Sequence, residues 1–174
     1  MNQQVLVTYA SKYGATSEIA EKICAELRHA NLSADVMPVD TVRDLNKYQA
    51  VVLGSGIYIG QWNKSALAFL KAHEKSLAER PVWLFSSGPT GEGDPVALVK
   101  GQCIPTALKP LVGRIQPRDI VVFHGYINPG KVNFLARWVI KNIIKAPFGD
   151  YRDWDSIARW AAGIASTLQK AEHA

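Results

Sequence analysis

The sequence predicts a doubly wound α/β domain, a five-stranded parallel sheet with helices on both faces. Three observations carry this. Five short apolar runs lack the polar alternation of a half-exposed strand, so both of their faces are covered. Amphipathic helical segments separate them, as crossovers between parallel strands require. Glycine- and hydroxyl-rich loops follow the first, third and fourth runs, at the ends where such sheets bind ligands.

The first run is Val5-Leu6-Val7-Thr8-Tyr9. Residues 17–30 form a helix with Ile19, Ala20, Ile23, Cys24 and Leu27 on one face. Residues 34–39 read as a weaker strand and Ala50-Val51-Val52-Leu53-Gly54 as a buried one. Residues 63–78 are amphipathic through Ala66, Phe69, Leu70, His73 and Leu77. Pro81-Val82-Trp83-Leu84-Phe85 is the fourth strand, a helix falls within 105–115, and Asp119-Ile120-Val121-Val122-Phe123 is the fifth strand. Residues 154–171 close the chain as a helix that faces Ile157, Trp160, Ala161, Ile164 and Leu168 to a core.

The 174 residues suit one domain spanning 1–174, and 48% hydrophobic content is ample for one core. A net charge of +5 points to anionic partners. Two cysteines, Cys24 and Cys103, make neither a disulfide framework nor a four-thiolate zinc site, so a reducing, cytoplasmic setting is expected. Met1-Asn2-Gln3-Gln4 lacks the basic start of a signal peptide. No stretch reaches the roughly 18 apolar residues of a membrane span. His29, His73 and His173 have no metal spacing, Cys24 reads as core, and Cys103 has no nearby base in sequence. His124 reads as a structural histidine at a strand end and Trp62 as a helix anchor. Nucleic acid is not an expected partner, because no basic stripe with interleaved aromatics covers a sheet face.

In the first loop, Ser11-Lys12-Tyr13-Gly14-Ala15-Thr16, small residues let backbone N–H groups converge on an anion at a helix N-terminus. It has neither three spaced glycines nor Gly-Lys-Ser/Thr, and it suits a single terminal phosphate. The alternative is an ordinary capped turn. The second loop holds Ser55-Gly56-Ile57-Tyr58-Ile59-Gly60, whose glycines admit a flat ligand and whose Tyr58 can stack on it. The third, Ser86-Ser87-Gly88-Pro89-Thr90-Gly91, has the composition of a backbone-rich binding loop.

Together these segments resemble the flavodoxin family, which binds flavin mononucleotide (FMN). The resemblance runs from the first strand to the last helix and implies strand order 2-1-3-4-5. It also implies that Ser11 to Thr16 hold the FMN phosphate, that Tyr58 stacks on the flavin, and that Ser86 to Gly91 cover its other side. Two departures stand out: Ile59 is an extra residue between the aromatic and Gly60, and Pro89 stands where the family often has a second aromatic.

Residues 128–153 are too many for a strand-to-helix connection, which takes about 2–6 residues. Within them, 131–146 read as a helix stopped by Pro147, with Arg137, Lys141 and Lys145 as a basic stripe beside Trp138 and an apolar remainder. This segment packs on its own domain or a dimer partner, lies on an anionic membrane surface, or covers the ligand. It resembles the extra segment of flavodoxin-type, menaquinone-dependent protoporphyrinogen IX dehydrogenases. That resemblance implies an FMN-dependent oxidoreductase in porphyrin biosynthesis. It would act on an acidic, apolar small molecule and pass electrons to a membrane quinone, peripheral to the inner face of the cell membrane. Arg137, Trp138, Lys141 and Lys145 would meet substrate or membrane. No protein nucleophile or metal is implied, since the flavin carries the chemistry. The alternatives are an electron carrier, an FMN-dependent reductase of another small molecule, or a binding module without flavin. Of the +5, residues 128–153 contribute +3, from Lys131, Arg137, Lys141, Lys145 and Arg152 against Asp150 and Asp153.

Overall fold

The computed structural model describes residues 4–172, so Met1, Asn2, Gln3, His173 and Ala174 lie outside the described residues. The chain runs β1 (Gln4–Ala10), α1 (Ala15–His29), β2 (Ser33–Pro38), β3 (Ala50–Tyr58), β4 (Gln61–Trp62), α2 (Lys64–Ala72) and α3 (Glu74–Ala78). It continues through β5 (Val82–Ser87), α4 (Pro95–Leu98), α5 (Lys109–Ile115), β6 (Asp119–Phe123) and β7 (Tyr126–Ile127). α6 (Phe134–Val139), a π-helical turn at Ile140–Ile144, β8 (Gly149–Asp150) and α7 (Trp154–Glu172) complete it. Five parallel strands lie in the order β2-β1-β3-β5-β6, and β4 pairs antiparallel with the end of β3. Numbered without β4, that order is the implied 2-1-3-4-5.

Alternation along each strand builds a core on either side of the sheet. Val5, Val7, Val52, Trp83 and Phe85 pack with Ile19, Ile23 and Leu27 of α1 and Ile157, Ala161 and Ile164 of α7. Leu6, Val51, Leu53 and Leu84 pack with Phe69, Leu70 and Leu77 of α2 and α3 and with Leu111 and Ile115 of α5.

Several boundaries differ from those predicted. The third strand does not stop at Gly54. It continues because β1 pairs with it as far as Ser55 and β5 as far as Gly56, and its last two residues, Ile57 and Tyr58, pair with β4. The fourth strand likewise runs on through Ser86 and Ser87. The helix expected over 63–78 breaks at His73, whose φ of −110° and ψ of 14° leave the helical basin while its ring stacks on Phe69. Within 105–115 only Lys109–Ile115 is α-helical, entered through a 3₁₀ turn at Thr106–Leu108. The four-residue α4 and the ribbon of β7 and β8 had no sequence signal, being too short for periodicity to show.

Gly54 serves the core. A β-carbon there would stand 1.9 Å from Phe85 Cζ, so the ring occupies the place a side chain would take. Gly54→Ala should therefore destabilise the fold by about 3 kcal/mol through overpacking, read as a lower midpoint in urea.

Candidate functional site

Because β1, β3 and β5 are parallel neighbours, the segments that follow them meet at one end of the sheet. In the first, Gly14 takes a left-handed φ of 94°. Ser11 Oγ accepts from Gly14 N–H at 3.0 Å, and Ser17 Oγ donates to Gly14 O at 2.7 Å. The first-turn N–H groups of α1 have no intrahelical acceptor. Residues 11–17 carry no acidic side chain. Thr16 turns inward, its buried hydroxyl 3.1 Å from Ser87 Oγ. A β-carbon at Gly56 would stand 3.2 Å from that Thr16 oxygen, so Gly56 leaves room for it. Lys12 Nζ lies 4.6 Å from the Tyr58 ring centroid and 5.3 Å from that of Tyr13, holding the two loops' aromatics together.

The extra residue of the second loop has a structural reason. Tyr58 and Gln61 pair across a two-residue hairpin turn, with φ of 50° at Ile59 and 68° at Gly60. Positive φ at both central positions is a type I′ turn, which matches the twist of the flanking strands. Ile59 is β-branched and 62% exposed, so it accepts backbone strain without burying its side chain.

Ser55 and Ser86 turn away from the loops. Ser55 Oγ accepts from Asn63 N–H, and Ser86 Oγ accepts from Trp62 Nε1 while donating to Cys103 O. Both hydroxyls are buried and serve the fold, and Trp62 is the buried anchor its position suggested. In the third segment, Gly88 presses on the backbone of Ile57 and on Gly125, where a β-carbon would come within 2.8 Å of Gly88 Cα. His124 spans this loop, with Nδ1 3.2 Å from Pro89 O and Nε2 2.8 Å from Gly93 O. Thr90 Oγ1 is buried and has no hydrogen-bond partner among the described residues.

The insertion folds over all three segments. Val132, Ala136 and Ile140 are buried against Tyr13, Tyr58, Ile127, Ala146 and Phe148. Pro147 Cγ stands 3.6 Å from where a β-carbon on Gly91 would be. The expected helix over 131–146 is shorter than predicted. It starts at Phe134, capped by Asn133, whose Oδ1 accepts from Ala136 N–H at 2.7 Å, and it passes into the π-helical turn after Val139. That turn interrupts the expected stripe. Arg137 bends back to donate to Pro129 O, and Lys145 ends the helix at a φ of 55°. Phe134, Leu135, Trp138 and Ile143 face outward, exposed by 84%, 68%, 51% and 63%.

Arg152 pins the far end of the insertion. Its side chain is 4% exposed. It donates to both Asp150 oxygens, to Glu18 and to Ala15 O in the first turn of α1. Its guanidinium also lies over Tyr126 and Trp154, 5.1 and 4.6 Å from their centroids. Bonding to Arg152 holds the Asp150 carboxyl below its ordinary value. In the sequence Arg152 stands out as part of the basic excess and of Tyr151-Arg152-Asp153-Trp154, which resembles the family's extra segment, but no local pattern points to Glu18 as its partner.

The residues present fit a flavin nucleotide. The first loop offers unpaired helix N–H groups and the Ser11 hydroxyl, with no acidic side chain of its own, a donor set that suits a terminal phosphate; the Thr16 hydroxyl, expected to join it, is instead turned inward onto Ser87. The orphaned Thr90 hydroxyl is a polar group that a bound ligand's heteroatom would satisfy.

These features define a protein class, and the sequence bears it out. The chain belongs to the Flavodoxin domain family, whose sequence profile matches residues 6–153. It is thus a flavodoxin-like, FMN-binding protein of an oxidoreductase family. Among curated proteins it is similar to the protoporphyrinogen IX dehydrogenase [quinone] of Escherichia coli strain K12, at 25% identity over 178 residues covering 96% of this chain and 97% of the relative. Its fold is similar to that of a flavodoxin from the domain Archaea, with a TM-score of 0.61 and 14% identity over 96% of this chain and 99% of that one. It is also similar to the rubredoxin oxygen:oxidoreductase of Desulfovibrio gigas, with a TM-score of 0.67 and 13% identity over all of this chain, which spans 38% of that protein's length.

Two variants test this geometry. Ile59→Asn supplies the Asn-Gly pair the turn favours and should raise stability by about 1 kcal/mol, measured as a higher thermal midpoint. Arg152→Met leaves Glu18 and Asp150 without their cation and should cost about 2 kcal/mol, the partners' partial exposure keeping the loss below that of a fully buried pair. Asp150's folded pKa is depressed, so its contribution is complete above the ordinary carboxylate value and is lost as pH falls through the folded one. Acid titrations of stability should therefore be steeper for the wild type than for Arg152→Met below about pH 4.

Proposed function

We propose that this protein oxidises protoporphyrinogen IX, or a substrate of the same acidic and apolar kind, and passes the electrons to a quinone at a membrane surface. The observation that carries this reading is the insertion. Its inner face packs on Tyr13 and Tyr58 while its outer face presents Phe134, Leu135, Trp138 and Ile143 among cations. An apolar face of this kind is costly to expose without a partner. Between Lys131 and Gly149 there are four basic residues and no acidic one. An anionic bilayer complements both features, and an apolar ring bearing carboxylates complements the same chemistry from the substrate side. No helix among the described residues is long and apolar enough to cross a membrane, so such contact would be peripheral.

When bound, FMN supplies the redox chemistry. The protein's part is to bind, orient and exclude water. Lys12 lies within reach of both the Tyr13 and Tyr58 rings, and Val132, Ala136 and Ile140 pack against the two tyrosines. A pure electron carrier gains nothing from a roof of this kind, and the net charge of +5 is opposite to that of acidic carriers that dock on basic partners. The name of the Escherichia coli relative supplies the substrate and acceptor class and agrees with this chemistry.

The test is anaerobic mixing of the FMN-loaded protein with protoporphyrinogen IX and a menaquinone analogue, followed by porphyrin fluorescence. Porphyrin should form faster than in a protein-free control. With quinone held in anionic vesicles, the double variant Phe134→Ser/Trp138→Ser should lose about tenfold in rate while keeping its rate with a water-soluble quinone. A rate equal to the protein-free control would remove the proposed substrate.

A further inference from the structure

The insertion also brings a charge to the first loop. Lys131 follows a turn fixed by two hydrogen bonds, Gly130 N–H to Asn128 Oδ1 at 2.9 Å and Lys131 N–H to Asn128 O at 3.0 Å. The next residue, Val132, is buried at 6% exposure, so the backbone at Lys131 is held from both sides. Its side chain runs to Gly14, where a β-carbon would stand 3.7 Å from Lys131 Nζ. No carboxylate pairs with this ammonium among the described residues. Glu18, the first acidic residue after the loop, is already engaged by Arg152. The other nearby ammonium, on Lys12, is turned to the Tyr13 and Tyr58 rings. An unpaired cation therefore stands beside a loop whose remaining donors are neutral.

We infer that Lys131 is a ligand of the FMN phosphate, so that the insertion completes the cofactor's binding site as well as covering it. A phosphate monoester near neutral pH carries most of two negative charges. Neutral N–H and hydroxyl donors leave that charge uncompensated; an ammonium beside Gly14 offsets about one unit of it. The insertion is then linked to cofactor occupancy, because phosphate held in the loop draws Lys131 and the turn at Asn128 toward it. This inference rests on the cofactor alone and stands whatever the substrate proves to be.

The experiment compares protein carrying FMN with protein exchanged by dialysis against riboflavin, which lacks the phosphate. Dissociation constants come from the recovery of free-flavin fluorescence on dilution, at low and high salt. Lys131→Met should weaken FMN about tenfold, leave riboflavin unchanged and flatten the salt dependence of FMN binding, while Lys131→Arg should restore most of the affinity. Lys71→Met makes the same change in net charge at an exposed site on α2 and should move neither flavin. Three results would overturn the inference: unchanged FMN affinity in Lys131→Met, equal weakening of FMN and riboflavin, or equal effects of Lys131→Met and Lys71→Met.

Discussion

A single buried guanidinium sets the relation between the sheet and everything laid over it. Arg152 joins Asp150, at the end of the β7–β8 ribbon, to Glu18 and the Ala15 carbonyl, in the first turn of α1. A cation beside a helix N-terminus opposes the helix dipole and would be unfavourable there alone. Two carboxylates and two aromatic faces make the position tenable. The same guanidinium thereby neutralises Glu18, the acidic residue that follows the adjoining loop most closely in sequence. Structure and electrostatics at this corner are therefore one arrangement.

The insertion is made of two chemically different surfaces on a short helix. Val132, Ala136 and Ile140 are small or aliphatic and pack flat against two tyrosines. Between them Phe134, Leu135, Arg137 and Trp138 remain in solvent, apolar surface beside a cation. The change from α to π geometry at Ile140 redistributes the outward residues, so that charge and apolar surface are interspersed. An insertion that only filled space would not need exposed Phe134 or Trp138.

The architecture was legible because the central parallel strands, buried on both faces, leave short continuous apolar runs; the edge strand β2, of which only Ala34 is buried, left the weaker signal. Loop function was less legible, because glycine and serine serve the fold and the ligand alike. Gly54 and Gly56 lie two residues apart in one strand; the first makes room for Phe85 and the second for the Thr16 hydroxyl. Ser86 and Ser87 are neighbours, yet one holds Trp62 and the other Thr16. Alternation along the strand separates Ser86 from Ser87, whereas Gly54 and Gly56 share a face and differ only in which neighbour stands over each. The insertion's length and charge were plain from composition. Its contacts were not, because Lys131 reaches Gly14 and Arg152 reaches Glu18 over separations that carry no local pattern.

The pairing of α1 with α7 has a consequence for what keeps the first loop in shape. α1 packs on α7, and Gln169 Nε2 donates to Ala30 O at the far end of α1. Arg152 grips the near end of α1 from a position just before α7. Both ends of α1 are therefore held by residues more than 130 positions away, and loosening either contact would loosen the Ser11–Thr16 loop with it. The shape of that loop is a property of the closed domain rather than of its own few residues.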